Sequence, residues 1–452
     1  MSGWYEAMFR GVIYPLYETG LRRRSTLRYL REFEASQWQS YERIAQLQWA
    51  KLAPLLAHCW SEVPFYRDVW SRAGFKPDDI RSIEDFRRLP ILEKADIRAN
   101  LDDLVARSAR GRIIYKSTGG STGEPLRFGY SRESYERRMA VMWRGYRWAG
   151  ADIGRRTLYL WGASPGAQSP WSRAKERAYH SAFGRRMLDA FSIGEGGFAQ
   201  YAAAIERYRP QVIVAYVNPI WQLARWINAN RPGAWTPRAI ITGAEPLFAG
   251  QRADIESAFG CKVFNTYGCR EFMLIASECE ARLGLHVSAD NLVVETVAET
   301  AIVAPGDVGD VVVTDLHNYA MPFIRYRNGD RATLSSDACS CGRGLPLLRA
   351  VEGRILDALR TRDGGYLPGE FFPHRLKDVR GIKHFQVVQR ALDRIELRIV
   401  REPGLREADI EGVRADVLRA LGQGTELQVM YVDAIPPTAS GKRRVTVSEI
   451  GG

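Results

Sequence analysis

Ten residues, Lys116-Ser117-Thr118-Gly119-Gly120-Ser121-Thr122-Gly123-Glu124-Pro125, alternate small hydroxyl side chains with glycines and close on a proline. Glycine lets a backbone turn its N–H groups onto an anion, and Ser or Thr adds hydroxyl donors, so such a run can wrap phosphate. No Lys-Ser/Thr pair follows the last glycine, so the strand-to-helix geometry of the usual P-loop is not implied. An ordinary solvated loop has the same composition. A second set of residues is metal-like. Cys279 and His286 are followed by Cys339-Ser340-Cys341-Gly342-Arg343. Three thiolates and an imidazole make the Cys₃His set of a closed structural zinc site. Unpaired core cysteines are the alternative, but positions 339 and 341, beside Gly and Arg, are expected outside the core. Cys59, Cys261 and Cys269 are then left over, which suits a reducing compartment. No Ser-His-Asp or Cys-His nucleophile arrangement is evident, and His317 and His374 are read as structural or exposed.

Further motifs follow in order along the chain: Thr242-Gly243-Ala244-Glu245-Pro246-Leu247, Asn265-Thr266-Tyr267-Gly268-Cys269-Arg270-Glu271, Met321 to Asp330 (with Tyr326-Arg327-Asn328-Gly329-Asp330), Gly353-Arg354, and Ser440-Gly441-Lys442. With the lead-in Val63-Pro64-Phe65-Tyr66-Arg67 and Leu89-Pro90-Ile91-Leu92-Glu93-Lys94, this set resembles the adenylate-forming enzymes. The resemblance is closest to the phenylacetate–CoA ligase family and its relatives from capsular-polysaccharide loci. It runs from about Gln37 to about Val445.

That resemblance implies ATP-dependent activation of a carboxylic acid, of the aromatic or arylalkanoic class, with CoA as acceptor. The same chemistry could deliver the acyl group to an amine, a hydroxyl or a carrier-protein thiol, and a degenerate nucleotide-binding scaffold is the reading from another class. By resemblance, Ser117, Thr118, Gly119, Gly120, Ser121, Thr122 and Gly123 hold the β- and γ-phosphates. Gly243, Ala244, Glu245 and Pro246 pack along adenine, with Asn265, Thr266, Tyr267 and Gly268 also on ATP. Glu271 matches a magnesium-binding glutamate, because an anionic residue beside ATP needs a bridging cation. Asp330 suits two ribose hydroxyls, Arg354 belongs to a hinge motif, and Lys442 matches a lysine that reaches the α-phosphoryl and carboxylate oxygens. The catalytic set is therefore Lys442, Glu271 and Arg354, and the acid site draws on Tyr216, Asn218, Gly268 and Arg270. Relatives carry the same Glu-Cys, Gly-Leu-His and Cys-x-Cys-Gly-Arg pattern, and some bind zinc there. The implied cofactors are ATP, Mg²⁺ and a structural Zn²⁺, with CoA as co-substrate.

Three departures stand out. Arg270 replaces the Ser or Thr usual before the motif glutamate. Leu356 stands where the hinge usually has an acid, with Asp357 one place later. Thr361–Glu370 replaces the Gly-rich segment that guides the thiol in CoA ligases and follows the capsule-locus branch instead.

These residues need positioning elements, and 452 residues exceed one core, so two or more domains are expected. Residues 37–60 read as one amphipathic helix within a helical lead-in over 1–60. From Thr157 the pattern alternates: strand Thr157–Trp161, helix Gly197–Tyr208, strand Val212–Tyr216, helix Ile220–Asn228, strand Ala239–Ile241, helix Phe248–Phe259, strand Lys262–Phe264. This is α/β, a doubly wound mostly parallel sheet, whose ligands gather at the carboxyl ends of strands. Residues 292–297 and 310–316 read as a more antiparallel β region. After Gly353 the chain reads strand Phe385–Gln389, strand Ile395–Val400, helix Glu407–Leu421, strand Leu427–Val432, a small α+β domain. The domains are thus 1–353, binding ATP and acid, and 354–452, mobile and carrying Lys442.

Hydrophobic content of 46% with 26% charged residues is that of a globular protein. No apolar run is long enough to span a bilayer and no signal peptide is recognised, so the cytoplasm is expected. Net charge is +12. The arginines are scattered and carry no nucleic-acid motif, so ATP and CoA are the expected anionic partners and nucleic acid is not. A dimer is compatible with the sequence. The segment Trp4–Leu30 mixes aromatics with arginines; a helix docked on the body of the protein is preferred over one lying on a membrane.

Overall fold

A computed structural model describes residues 3–118, 126–162, 170–190, 197–230, 235–352, 359–362, 366–367, 369, 371–376, 379–422, 424–436 and 445–450. The chain divides into two compact units. The first comprises Met1–Lys116, Arg127–Arg155 and Phe264–Gly353; the second comprises Ser117–Leu126, Arg156–Val263 and Arg354–Gly452.

The first unit is built on an antiparallel sheet. Its strands lie in the order Ala301–Ile302, Leu292–Ala298, Val308–Asp315, Tyr326–Leu334, Leu347–Glu352, Leu285–Val287, Met273–Glu278, then Lys262–Cys269 from Phe264 onward. Leu292–Ala298 and Val308–Asp315 are rich in valine, and these two strands pair antiparallel from Leu292↔Asp315 to Val297↔Asp310, as expected for this region. Helices Thr26–Ser36, Tyr41–Glu62 and Arg132–Trp148 belong to the same unit.

The single helix expected over 37–60 is present as Tyr41–Glu62, starting four residues later because residues 37–40 form a turn. Ser40 starts that helix by accepting a hydrogen bond from the Arg43 N–H (3.3 Å), the signature of an N-cap.

In the second unit, parallel strands run in the order Ala239–Gly243, Val212–Tyr216, Thr157–Trp161, Arg185–Asp189. Every residue of Val212–Tyr216 is buried, as expected for a parallel strand covered on both faces. Helices Gly197–Tyr208, Val217–Asn230 and Ala249–Phe259 connect them. The remaining part is a four-stranded sheet in the order Glu426–Tyr431, Arg394–Arg401, Ile382–Ala391, Thr446–Ser448, with helix Glu407–Leu421. That helix buries Ile410, Val413, Val417 and Leu421, a single face at spacings of three and four. The whole is α/β with a smaller α+β C-terminal part.

Candidate active site and metal centre

In the first unit, strand Lys262–Cys269 turns back into Met273–Glu278 with an irregularity at Tyr267/Gly268. A Cβ on Gly268 would lie 1.8 Å from the Met273 carbonyl oxygen, so only glycine permits this approach. The turn delivers Tyr267 and Glu271 toward side chains of strand Tyr326–Leu334. The Tyr267 hydroxyl donates to Asp330 Oδ2 (2.9 Å) and accepts from Asn328 Nδ2 (2.7 Å). Asn328 also donates to Asp330 Oδ2 (3.0 Å), and its own Oδ1 accepts from the Asp330 N–H (3.0 Å). Asp330 is thereby held in place by side chains from two strands.

Glu271 is buried and accepts from the Tyr326 hydroxyl (3.0 Å). The Cys269 thiol is pushed well above its ordinary value by burial, and Glu271 and Asp330 push it further. Burial therefore favours the neutral thiol there. Lys116 lies over the rings of Tyr130 and Tyr135, at 5.4 and 5.5 Å. Burial lowers the pKa of its amine, and Arg270 and Arg138 lower it further, which marks a locally positive region. Asn328 and Tyr326 went unassigned in the sequence although both stand in the Tyr-Arg-Asn-Gly-Asp run. Their spacing to Asp330 was the available signal.

In the second unit, Gly243 ends its strand and Ala244 takes a left-handed φ of 69°, an unusual conformation for a residue with a Cβ. Glu245 accepts from the Asn218 N–H (2.7 Å) and from Asn218 Nδ2 (2.9 Å), while Gln251 donates to Asn218 Oδ1 (3.2 Å). Burial raises the Glu245 carboxyl; the Asn218 hydrogen bonds oppose that rise. Tyr216 is buried against Trp161, ring centroids 4.1 Å apart. The Thr118 hydroxyl accepts from the Leu126 N–H (2.9 Å), so it braces the base of its loop. Gly119–Gly123, Arg354 and Lys442 lie outside the described residues.

The metal-like residues converge. Leu347 and Leu348 pair with His286 and Leu285, and this register carries the Cys339–Cys341 turn back to His286. The ligand atoms of Cys279, His286, Cys339 and Cys341 all lie within 4.8 Å of one another. The Cys279 and Cys339 sulfurs are 3.7 Å apart, and Cys341 Sγ is 3.3 Å from His286 Nε2. Zinc–sulfur bonds of about 2.3 Å in a tetrahedron give a sulfur–sulfur edge of about 3.8 Å. His286 Nδ1 meets the Leu345 carbonyl (3.1 Å), which assigns it the proton and leaves Nε2 a free lone pair. Burial pushes the imidazole down to about 4 and the Cys279 thiol up to about 12. Burial also raises the Cys341 thiol, but hydrogen bonds from the Arg343 backbone and side chain and from the neighbouring cysteines carry it below its ordinary value. Arg343 is bound by both Glu280 oxygens at 3.0 Å and lies over Trp148 at 4.9 Å. One expectation is corrected: Cys339 is buried rather than outside the core, because strand Leu347–Glu352 draws its turn against the sheet.

Residues 359–449 match the family described as the CapK C-terminal domain. The chain is 29% identical over 395 residues to the phenylacetate-coenzyme A ligase of Thermus thermophilus, covering 84% of this chain and 86% of that one. It is 24% identical to Protein CapK of Staphylococcus aureus, over 85% of each. Among solved structures, 2-hydroxyisobutyryl-CoA ligase in complex with 2-HIB-AMP and CoA superposes with a TM-score of 0.62 at 22% identity, covering 92% of this chain and 91% of that chain. The fold is that of the adenylate-forming enzymes. The chain is similar over most of its length to phenylacetate–CoA ligases and to CapK.

Proposed function

We propose that this chain activates a carboxylic acid with ATP, forming acyl-adenylate and pyrophosphate, and then passes the acyl group to CoA. The carrying observation is the braced carboxylate of Asp330, fixed by Tyr267 and Asn328, in the same unit as the buried Glu271. In the first step a carboxylate oxygen bonds to the α-phosphorus and the bond to pyrophosphate breaks. In the second, the acceptor sulfur bonds to the acyl carbon, AMP leaves, and the thiol gives up its proton.

Asp330 binds the ribose hydroxyls, Glu271 would hold magnesium, and Gly243–Pro246 lie along adenine. Magnesium supplies positive charge against the phosphate oxygens. Arg270, with Lys116 nearby, offers cationic donors to phosphate or to an anionic group of the acid. Gly119–Gly123 cradle the β- and γ-phosphates, and Lys442 serves the α-phosphoryl. The 354–452 segment is the mobile domain, hinged near Arg354. Cys279, His286, Cys339 and Cys341 hold one structural zinc, since their spacing and the His286 tautomer fit a tetrahedral ion. The acid is aromatic or arylalkanoic, as in the phenylacetate ligases, and the enzyme works in the cytoplasm. The alternative acceptor is an amine, a hydroxyl or a carrier-protein thiol, a reading supported by the departure at Thr361–Glu370 from the thiol-guiding segment of CoA ligases.

A panel of acids tested for carboxylate-dependent exchange of labelled pyrophosphate into ATP checks the first step. Exchange without CoA is expected, with at least one aromatic acid active; none with any acid refutes adenylation. Product trapped on CoA, rather than on hydroxylamine alone, checks the acceptor. Asp330→Ala should raise the KM for ATP about 10- to 100-fold, the loss of one or two charge-assisted hydrogen bonds. It should change the KM for the acid little, and an unchanged KM for ATP would remove Asp330 from the ribose site.

A further inference from the structure

The first residues of the chain form a helical run whose period is not that of an α-helix. Gly3–Met8 is α-helical, but Phe9–Ile13 and Leu16–Leu21 are π-helical, and Arg22 N–H bonds back to the Tyr17 carbonyl at 2.8 Å. With more than four residues per turn, residues four and five apart share a face. Phe9, Tyr14 and Glu18 form the buried face. Phe9 sits beside Gly154, whose φ of 83° and missing Cβ let it approach. Glu18 accepts from the Thr26 hydroxyl (2.8 Å) and pairs with Arg24 (3.5 Å). Arg10 pairs with Asp152 at 2.9 Å, and the Arg132 guanidinium bonds the carbonyls of Arg22 and Arg23. The run is firmly attached to the first unit.

Its outward face is the unusual one. Trp4 is 69% exposed, Val12 53%, Leu16 66% and Leu21 76%, and the last three follow the same four- and five-residue spacing. Ala7, Gly11, Ile13, Thr19 and Gly20 are the other exposed positions between Trp4 and Leu21 apart from Arg10, which is thus the only charged residue on that face. A helix docked on a globular body normally turns polar residues outward. Here the outer face is largely apolar instead, and it ends at the exposed Arg22 and Arg23. Between Gly3 and Arg31 there are six arginines and two glutamates. Leu21, Arg22 and Arg24 open onto a cavity of about 560 Å³ shared with Lys116, Arg132 and Tyr135.

We propose that this face docks the protein on an anionic lipid bilayer. Trp4, Val12, Leu16 and Leu21 enter the boundary between headgroups and acyl chains, and Arg22 and Arg23 meet lipid phosphates. Apolar area alone would suit a second copy of the chain. The arginines at the end of the ridge, on a protein of net charge +12, favour a negative surface instead. No helix among the described residues is long and apolar enough to cross a membrane, so the docking is peripheral.

The test is co-sedimentation of the full chain with vesicles of phosphatidylcholine, with and without about 30 mol% phosphatidylglycerol. Binding is expected with the anionic vesicles, weaker in about 0.5 M NaCl, where surface charges are screened. The variant Trp4→Ser/Leu16→Ser/Leu21→Ser should reduce the partition coefficient about tenfold or more, and so should Arg22→Glu/Arg23→Glu. Both variants change exposed side chains only, and unchanged thermal unfolding shows that they are folded. Absence of binding to either vesicle overturns the proposal, as does equal binding by wild type and both variants. A wild-type dimer that the apolar variant converts to monomer, without vesicle binding, would assign the face to a second copy and overturn it equally.

Discussion

Lys442→Ala should lower the rate of acyl-adenylate formation about 10²- to 10³-fold, the usual cost of one electrostatic contact to a transition state. Transfer from preformed acyl-adenylate to CoA should survive the same substitution. The asymmetry follows from the proposed location of Lys442 on a mobile C-terminal domain, where it meets the α-phosphoryl oxygens in only one of two domain orientations. A lysine is a compact charge on a flexible stem, and its attraction grows as negative charge develops on those oxygens. Pyrophosphate exchange measures the first half-reaction, and synthetic acyl-adenylate supplied with CoA measures the second. Equal loss in both would show that Lys442 supports the fold or both steps alike, and the two-orientation reading would fall. Leu356, in place of the hinge acid, makes the comparison informative, because a stiff hinge would abolish the asymmetry.

The second large effect is on stability. Protein purified without chelator should contain about one zinc per chain, and Cys341→Ser should lower the midpoint of thermal unfolding by roughly 10 °C. That figure corresponds to about 3 kcal/mol in a unit of about 200 residues. A small zinc finger gains about 10 kcal/mol from its metal, but here the surrounding sheet already contributes a core, so less is lost. The geometry explains why the ion would matter. Without a cation, Cys279, Cys339 and Cys341 must share a small space with the neutral His286 ring. Burial favours protonated Cys279, so metal binding releases protons and weakens as pH falls. The KM for ATP should change less than the stability, since Asp330 is braced by Tyr267 and Asn328 and not by the cysteines. Metal analysis showing no zinc would discard the site, and a Cys341→Ser protein as stable as wild type would make the ion incidental.

Some of this was legible in the residues alone. Helices Gly197–Tyr208 and Glu407–Leu421 and strands Thr157–Trp161 and Val212–Tyr216 have the same boundaries in sequence and structure. Their apolar periodicities are local properties, and flanking residues mark their ends. The donor types of the metal centre and the carboxylates Glu271 and Asp330 were equally visible, because chemistry belongs to residue identity.

Tertiary structure decided the rest. Strand Arg185–Asp189 opens on two arginines and has no alternating pattern; it is a strand because Thr157–Trp161 offers it a parallel partner in register. Cys339 meets Cys279 only because strand Leu347–Glu352 pairs with Leu285–Val287, a contact that no spacing along the chain encodes. Asn328 braces Asp330 locally, but the Tyr267 hydroxyl that joins both comes from another strand. The apolar ridge of Trp4, Val12, Leu16 and Leu21 is invisible at 3.6 residues per turn. The π-helical winding, set by how Phe9, Tyr14 and Glu18 seat on the first unit, lines those side chains up on the outside.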